Sequence, residues 1–379
     1  MSRPGAGDEP YAGPPPMVRP PVQWQPPVPW QQPVPWQQPV PWPQPVPWGP
    51  PAPWQAPPPP AGRWAPPPDV PPHDVPQPYL RAMRSRNWGW WRPLVGLLLV
   101  GVVYLVAATL VVLASMVTGG GPDLAQMDLT DPATLLVTNL SLIVAIPVVW
   151  LAWVAAHGMG RGWSSSVVAR LRWRLLRPYT WMALRTIGVG IVLALLIQFQ
   201  FGDATDTAPV RSLGWLLVVV VLTTPLQSAA EEYLFRGYLS QFIAGWVRSP
   251  RAGALVAAVV TAALFSAAHA PPDVPTFLDR FAFGLAASAV VWLTGGLEAA
   301  IVLHAVNNVL VFVLAGALGG VDTQSYSSGL DPILRGISVL SLAAYVGVVA
   351  RSGGRLRPET HTAALDLRAP GPAMPVPAA

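Results

Sequence analysis

Apolar residues dominate the chain from Leu94 to Ala350, whereas proline crowds the stretch before Pro78. A helix that crosses a bilayer needs about 20 mainly apolar residues. Eight segments meet that pattern: Leu94–Val117, Leu135–Ala156, Tyr179–Phe201, Leu213–Tyr233 continuing toward Gly245, Ala252–His269, Phe281–Thr294, Leu297–Leu318 and Pro332–Ala350. The sixth is the shortest. The pattern predicts an all-α, polytopic membrane bundle of about eight transmembrane helices behind a disordered Pro/Trp-rich N-terminal tail. Its expected divisions are a tail over 1–90, a transmembrane body over 91–351 with its reactive core at about 213–318, and a short C-terminal tail over 352–379.

The tail has its own pattern. Tryptophan recurs every six residues at Trp24, Trp30, Trp36, Trp42, Trp48 and Trp54, mostly within Pro-Val-Pro-Trp. Polyproline II has three residues per turn, so this period places the indoles on one face of an extended rod with no core. Such a rod reads either as a semi-rigid linker or as a docking strip for a partner or the headgroup zone.

Composition sharpens the membrane reading. Charged residues form 11% of the chain, against about 25% in ordinary soluble proteins. The net charge of +5 comes from arginines beside apolar runs, so it argues for membrane topology and against nucleic acid. Arg81, Arg84, Arg86 and Arg92 precede the first span, Arg161 to Arg177 follow the second, and Arg351, Arg355 and Arg357 follow the last. Asp123, Asp128, Asp131, Asp203 and Asp206 mark the alternate loops. Both termini are therefore expected in the cytoplasm. Cysteine is absent, which excludes thiolate chemistry and disulfides. Met1 to Pro10 hold no apolar core for a secretory signal, so insertion is expected to depend on the first span.

Within this apolar body a few polar residues stand out. Glu231, Glu232 and Glu298 fall inside or at the edge of spans, as do His269 and His304. An ionisable group at the bilayer centre costs about 2.5–3.5 kcal/mol on insertion scales, so something must offset it. On a helix Glu232 and Arg236 lie four apart and can pair, while Glu231 points about 100° away. A structural ion pair accounts for the first two and leaves Glu231 unexplained. His304 and Asn308 share a face one turn apart, and Phe265 precedes His269 by one turn. A carboxylate with an imidazole can activate water, and a second imidazole with an amide can donate to an oxyanion.

Three motifs occur in order: Glu231-Glu232-x-x-x-Arg236, Phe265-x-x-x-His269 and His304-x-x-x-Asn308. They resemble the CAAX-prenyl-protease and bacteriocin-processing (CPBP, or Abi) intramembrane proteases, over roughly Leu213 to Leu318. The resemblance implies an endopeptidase of a bacterial cell membrane that acts on a membrane-embedded or lipid-attached peptide or protein. It implies that Glu231 and His269 activate water, that His304 and Asn308 form the oxyanion hole, and that Glu232 and Arg236 support the site. Family members have been described both as glutamate proteases and as metalloproteases. Glu231, His269 and His304 form a His-His-Glu set of the type zinc uses, so the cofactor stands as none or zinc. Glu298 matches no motif position.

Two other functions compete. A non-catalytic scaffold or bacteriocin-immunity protein would recruit partners through the tail, and a transporter would relay protons through the intramembrane Glu and His. Confinement of the polar set to the second half and the lack of repeated spans argue against transport. Depth is a further constraint. At ~1.5 Å per residue His269 lies ~27 Å from Arg251, but His304 lies only ~10 Å from Leu297. The sequence reconciles these if the fifth helix starts below the membrane surface or tilts, and if the fourth kinks at Pro225. By analogy with the family the cavity is expected to open toward the cytoplasm.

Overall fold

The structure, a computed structural model, describes residues 71–117, 128–202, 208–319 and 330–365. The tryptophan repeat lies outside them, as do Asp123, Asp203 and Asp206. Every regular element among the described residues is helical, and eight helices are long and apolar enough to cross a membrane. They are α1 (Arg92–Val117), α2 (Pro132–Ala155), α3 (Trp173–Phe201), α4 (Leu213–Trp246), α5 (Pro250–Ala268), α6 (Val274–Thr294), α7 (Glu298–Leu318) and α8 (Asp331–Leu356). The expected eight-helix membrane fold is thus the fold observed.

The boundaries shift for local reasons. α6 begins seven residues before the predicted Phe281, because Asp273 caps it by accepting from the Thr276 amide and Pro275 occupies its first turn. α4 runs through Pro225 and on past Tyr233 to Trp246, absorbing a π-helical stretch at Tyr233–Leu239. Such wide turns are frequent at functional sites. α1 is apolar on all sides and buries only Pro93, Gly96 and Val100, as a lipid-facing helix should. α4 and α7 form the most extensive helix pair, with α2 against α4 and α5 against α6.

Residues 71–90 correct the expected tail boundary. Tyr79, Leu80, Ala82 and Met83 are buried, and the Tyr79 hydroxyl donates to the Ser164 carbonyl. Arg81 and Arg84 donate to the carbonyls of Arg248 and Gly245, each at 2.7 Å. Proline and arginine in this segment mask its packing, since it has no helical or alternating period to read. The C-terminal segment also folds back: helix α8 continues to Leu356, Thr362 donates its amide to Gln77, and Pro78 bridges His361. Together these segments cap the end of the bundle at which α8 finishes.

Beneath the cap lies the account of Glu298. Arg172 donates through its amide and Nε to Glu298 Oε1 at 2.8 and 2.9 Å, and through Nη2 to Oε2 at 2.6 Å. Its guanidinium also reaches the Thr294 and Glu359 carbonyls. Arg172 is more than a topology signal, because this bidentate pair is buried and ties the α2–α3 connection, the start of α7 and the C-terminal segment together. The α6–α7 turn needs glycine here: Gly295 is left-handed at φ 67°, and a Cβ on Gly296 would lie 2.4 Å from Arg172 Nη2.

The same cap resolves the depth conflict. Leu297 is fully buried and donates its amide to the Ser165 carbonyl, so α7 starts below the cap and not at its surface. His304 is deeper than its distance from Leu297 suggests.

Replacing Glu298 with alanine leaves buried Arg172 with only the partly exposed Glu359 carboxylate, at 3.3 Å, as a charged partner. Glu298→Ala is expected to cost about 3–5 kcal/mol of stability, read as a lower unfolding midpoint of the detergent-purified protein.

Candidate active site

The four polar residues of α4 that build the site are Gln227, Glu231, Glu232 and Arg236, all buried where α4 meets α2, α5 and α7. Helical spacing puts Gln227 and Glu231 in line, one turn apart, and Glu232 and Arg236 on the adjacent line. Arg236 Nη1 donates to Glu232 Oε1 at 3.0 Å, with both side chains fully buried. His304 on α7 also contacts that oxygen, through Nδ1 at 2.9 Å. One carboxylate oxygen therefore holds an arginine of its own helix and an imidazole of the next.

These contacts assign the imidazole protons. A carboxylate oxygen only accepts, so Nδ1 of His304 carries the proton and neutral His304 presents a lone pair at Nε2. His269, at the C-terminal end of α5, repeats the arrangement: its Nδ1 donates to the Phe265 carbonyl at 2.7 Å. Both Nε2 atoms lie 3.8 Å from Glu231 Oε2. That oxygen is buried without a hydrogen-bond partner, and 3.8 Å is too long for a direct bond. One small bridging group is the missing partner that this geometry invites.

Phe265 does more than precede His269. Arg236 Cζ sits 4.4 Å from its ring centroid, and the ring meets His304 edge-on at 5.6 Å and His269 at 4.5 Å. Nε and Nη2 of Arg236 have no hydrogen-bond acceptor, so the aromatic face supplies much of their compensation. Gly284 on α6 makes room: a Cβ there would lie 2.7 Å from the Ala262 Cβ and 3.2 Å from Arg236 Nη2.

The six residues expected from the motifs come together: Glu231, His269, His304 and Asn308 line a cavity of about 400 Å³, and Glu232 and Arg236 are buried behind them, joined to the site through His304. Sequence reasoning missed Gln227. Its Nε2 donates to Glu231 Oε1 at 2.5 Å and its Oε1 accepts from Asn308 Nδ2 at 3.4 Å. Gln227 thereby orients the carboxylate toward the two imidazoles and links it to α7. An amide in an apolar span, four residues before Glu231 on the same face, was the available signal. Asn307 contributes too, donating to Asn308 Oδ1 at 3.2 Å.

Glu231, His269 and His304 have donor types that suit zinc, and both imidazoles are held from behind through Nδ1 as ligating histidines usually are. As the side chains stand, however, no three such donors among the described residues converge into a metal cage. The fit is one of donor chemistry and not of geometry.

Comparison with known proteins agrees with the motifs. Residues 212–310 match the family model described as type II CAAX prenyl endopeptidase Rce1-like. That stretch holds all three motifs, and the family first read from them is the family it matches. The chain is also 26% identical over 257 residues to the Bacillus subtilis (strain 168) protein described as uncharacterized protein YyaK, covering 62% of this chain and 80% of that one. No solved structure matches.

Because Gln227 touches Glu231 and not a reacting atom in this geometry, it is a positioning residue. Gln227→Leu is expected to lower kcat about 100-fold by misplacing the carboxylate, while KM and the unfolding midpoint stay near those of the unsubstituted protein. An unchanged kcat would show that the 2.5 Å contact is only structural.

Proposed function

With residues 212–310 matching the type II CAAX prenyl endopeptidase model, we propose that the protein hydrolyses a peptide bond of a membrane-associated polypeptide through a water activated by Glu231 and His269. The observation that carries the reading is the unpartnered Glu231 Oε2, 3.8 Å from the Nε2 atoms of His269 and His304. A water held there can donate to the carboxylate and to the lone pair of His269.

As the water attacks the scissile carbonyl, its proton passes to Glu231 or His269. The developing oxyanion needs donors. Asn308 supplies its Nδ2, whose present 3.4 Å bond to Gln227 is long enough to redirect easily. His304 in its neutral form offers an acceptor at Nε2, so it serves the oxyanion only when it has taken a second proton from solvent before the attack, a proton it keeps through the reaction. Glu232, bound to Nδ1, stabilises the resulting imidazolium. Collapse of the tetrahedral species breaks the C–N bond, and the proton taken from water moves to the leaving amine.

Metal-free chemistry is the reading we favour. If zinc binds, Glu231, His269 and His304 would hold it, and it would supply an acidified water. Glu232 would then be the nearest carboxylate left to act as base, but its Oε1 is already engaged by Arg236 and His304.

Glu231→Gln is expected to abolish cleavage with membrane expression intact, read by comparing membrane proteomes for fragments that disappear in the variant. Full retained cleavage would sink the protease reading. Asn308→Ala is expected to lower kcat by about 10²–10³. EDTA is expected to leave the rate unchanged, and loss of activity on chelation with recovery on adding zinc would move the water onto a metal.

A further inference from the structure

The direction in which the cavity opens follows from helix polarity. Odd-numbered helices start on the face that carries residues 71–90 and 357–365, and even-numbered helices start on the opposite face. The cavity is lined by Leu129 just before α2, Thr276 in the first turn of α6, and Leu334 and Arg335 at the start of α8. All lie at even-helix beginnings. His269, one third exposed, terminates an odd helix and so belongs to the same end of the bundle. The face where the odd-numbered helices start is closed instead by the packed segments around Tyr79, Ser165 and Thr362, all buried.

Charge identifies the two faces. Arg81, Arg84, Arg86, Arg161, Arg174 and Arg355 lie on the closed face. The end that lines the cavity carries Asp128, Asp131, Asp273 and Asp331, with Arg211, Arg280 and Arg335. Arginine-rich connections stay in the cytoplasm.

We propose that the cavity opens on the extracytoplasmic side, and that what enters it is a polypeptide segment presented there by an exported or membrane-anchored protein. A cytoplasmic C-terminus would meet the capped face. This departs from the cytoplasmic opening that the family analogy suggests. The nature of the entering group rests on the protease reading, whereas the direction of entry rests on helix polarity and charge alone.

The absence of cysteine makes the direction directly measurable. Single substitutions are placed at the mouth (Val274→Cys), on the cavity wall (Thr138→Cys and, separately, Ser338→Cys) and on the closed face (Arg248→Cys). Each is treated in intact cells with a membrane-impermeant maleimide, before and after permeabilisation. Val274→Cys and at least one wall variant are expected to label in intact cells, and Arg248→Cys only after permeabilisation. Labelling of Arg248→Cys but not Val274→Cys in intact cells would overturn the orientation. Labelling at the mouth with neither wall position reached would overturn entry from that side. The readout needs no proteolysis, so it stands or falls separately from the loss of cleavage in Glu231→Gln.

Discussion

Two carboxylates, two imidazoles and a guanidinium cannot share an apolar bundle unless each charge finds a partner, and Glu232 is the group that makes this arrangement possible. Its Oε1 holds Arg236 at 3.0 Å and His304 at 2.9 Å, joining α4 to α7 at the centre of the site. Remove that carboxylate and a fully buried guanidinium is left with an aromatic face as its main compensation. An uncompensated buried charge is far more destabilising than a weak surface pair. The same bond sets the His304 tautomer, so one interaction serves both packing and chemistry.

Helix α7 is fixed twice over. At its beginning Glu298 is gripped by Arg172, and six residues later His304 is gripped by Glu232. The first contact sets its depth beneath the cap and the second sets its rotation against α4. Asn308, one turn beyond His304, is then delivered to the cavity without a strong bond of its own, at 3.4 Å from Gln227. Under the proposed mechanism, a donor to a transient oxyanion benefits from being positioned by its helix and only loosely occupied before the reaction.

How much of this was legible depends on the physical source of each signal. Ionisable residues inside apolar spans are expensive, and so Glu231, Glu232, Arg236, His269 and His304 stood out in the sequence. The spans themselves were legible because lipid demands length and hydropathy. Gln227 escaped because an uncharged amide costs less in a span and carries no charge pattern. Glu298 was seen but could not be assigned, since its partner Arg172 is 126 residues away and resembled one more cytoplasmic arginine. The packing of residues 71–90 was invisible for another reason: an irregular segment held by carbonyl contacts leaves no period behind. The early start of α6 was written in Asp273, Pro275 and Thr276, but as a cap whose proline reads equally well as a break.

The two histidines share a contact pattern yet differ in environment. His304 is 2% exposed and bound to a carboxylate, whereas His269 is 33% exposed and bound to a backbone carbonyl. The carboxylate at Nδ1 of His304 fixes the tautomer and leaves Nε2 turned toward Glu231. The Phe265 carbonyl makes the equivalent contact at His269, so its Nε2 is likewise turned toward Glu231. The ring of His269 is the one that solvent reaches, and that of His304 is enclosed by the bundle. The two rings therefore differ in what sits behind them and in their exposure, and not in the face each turns toward Glu231.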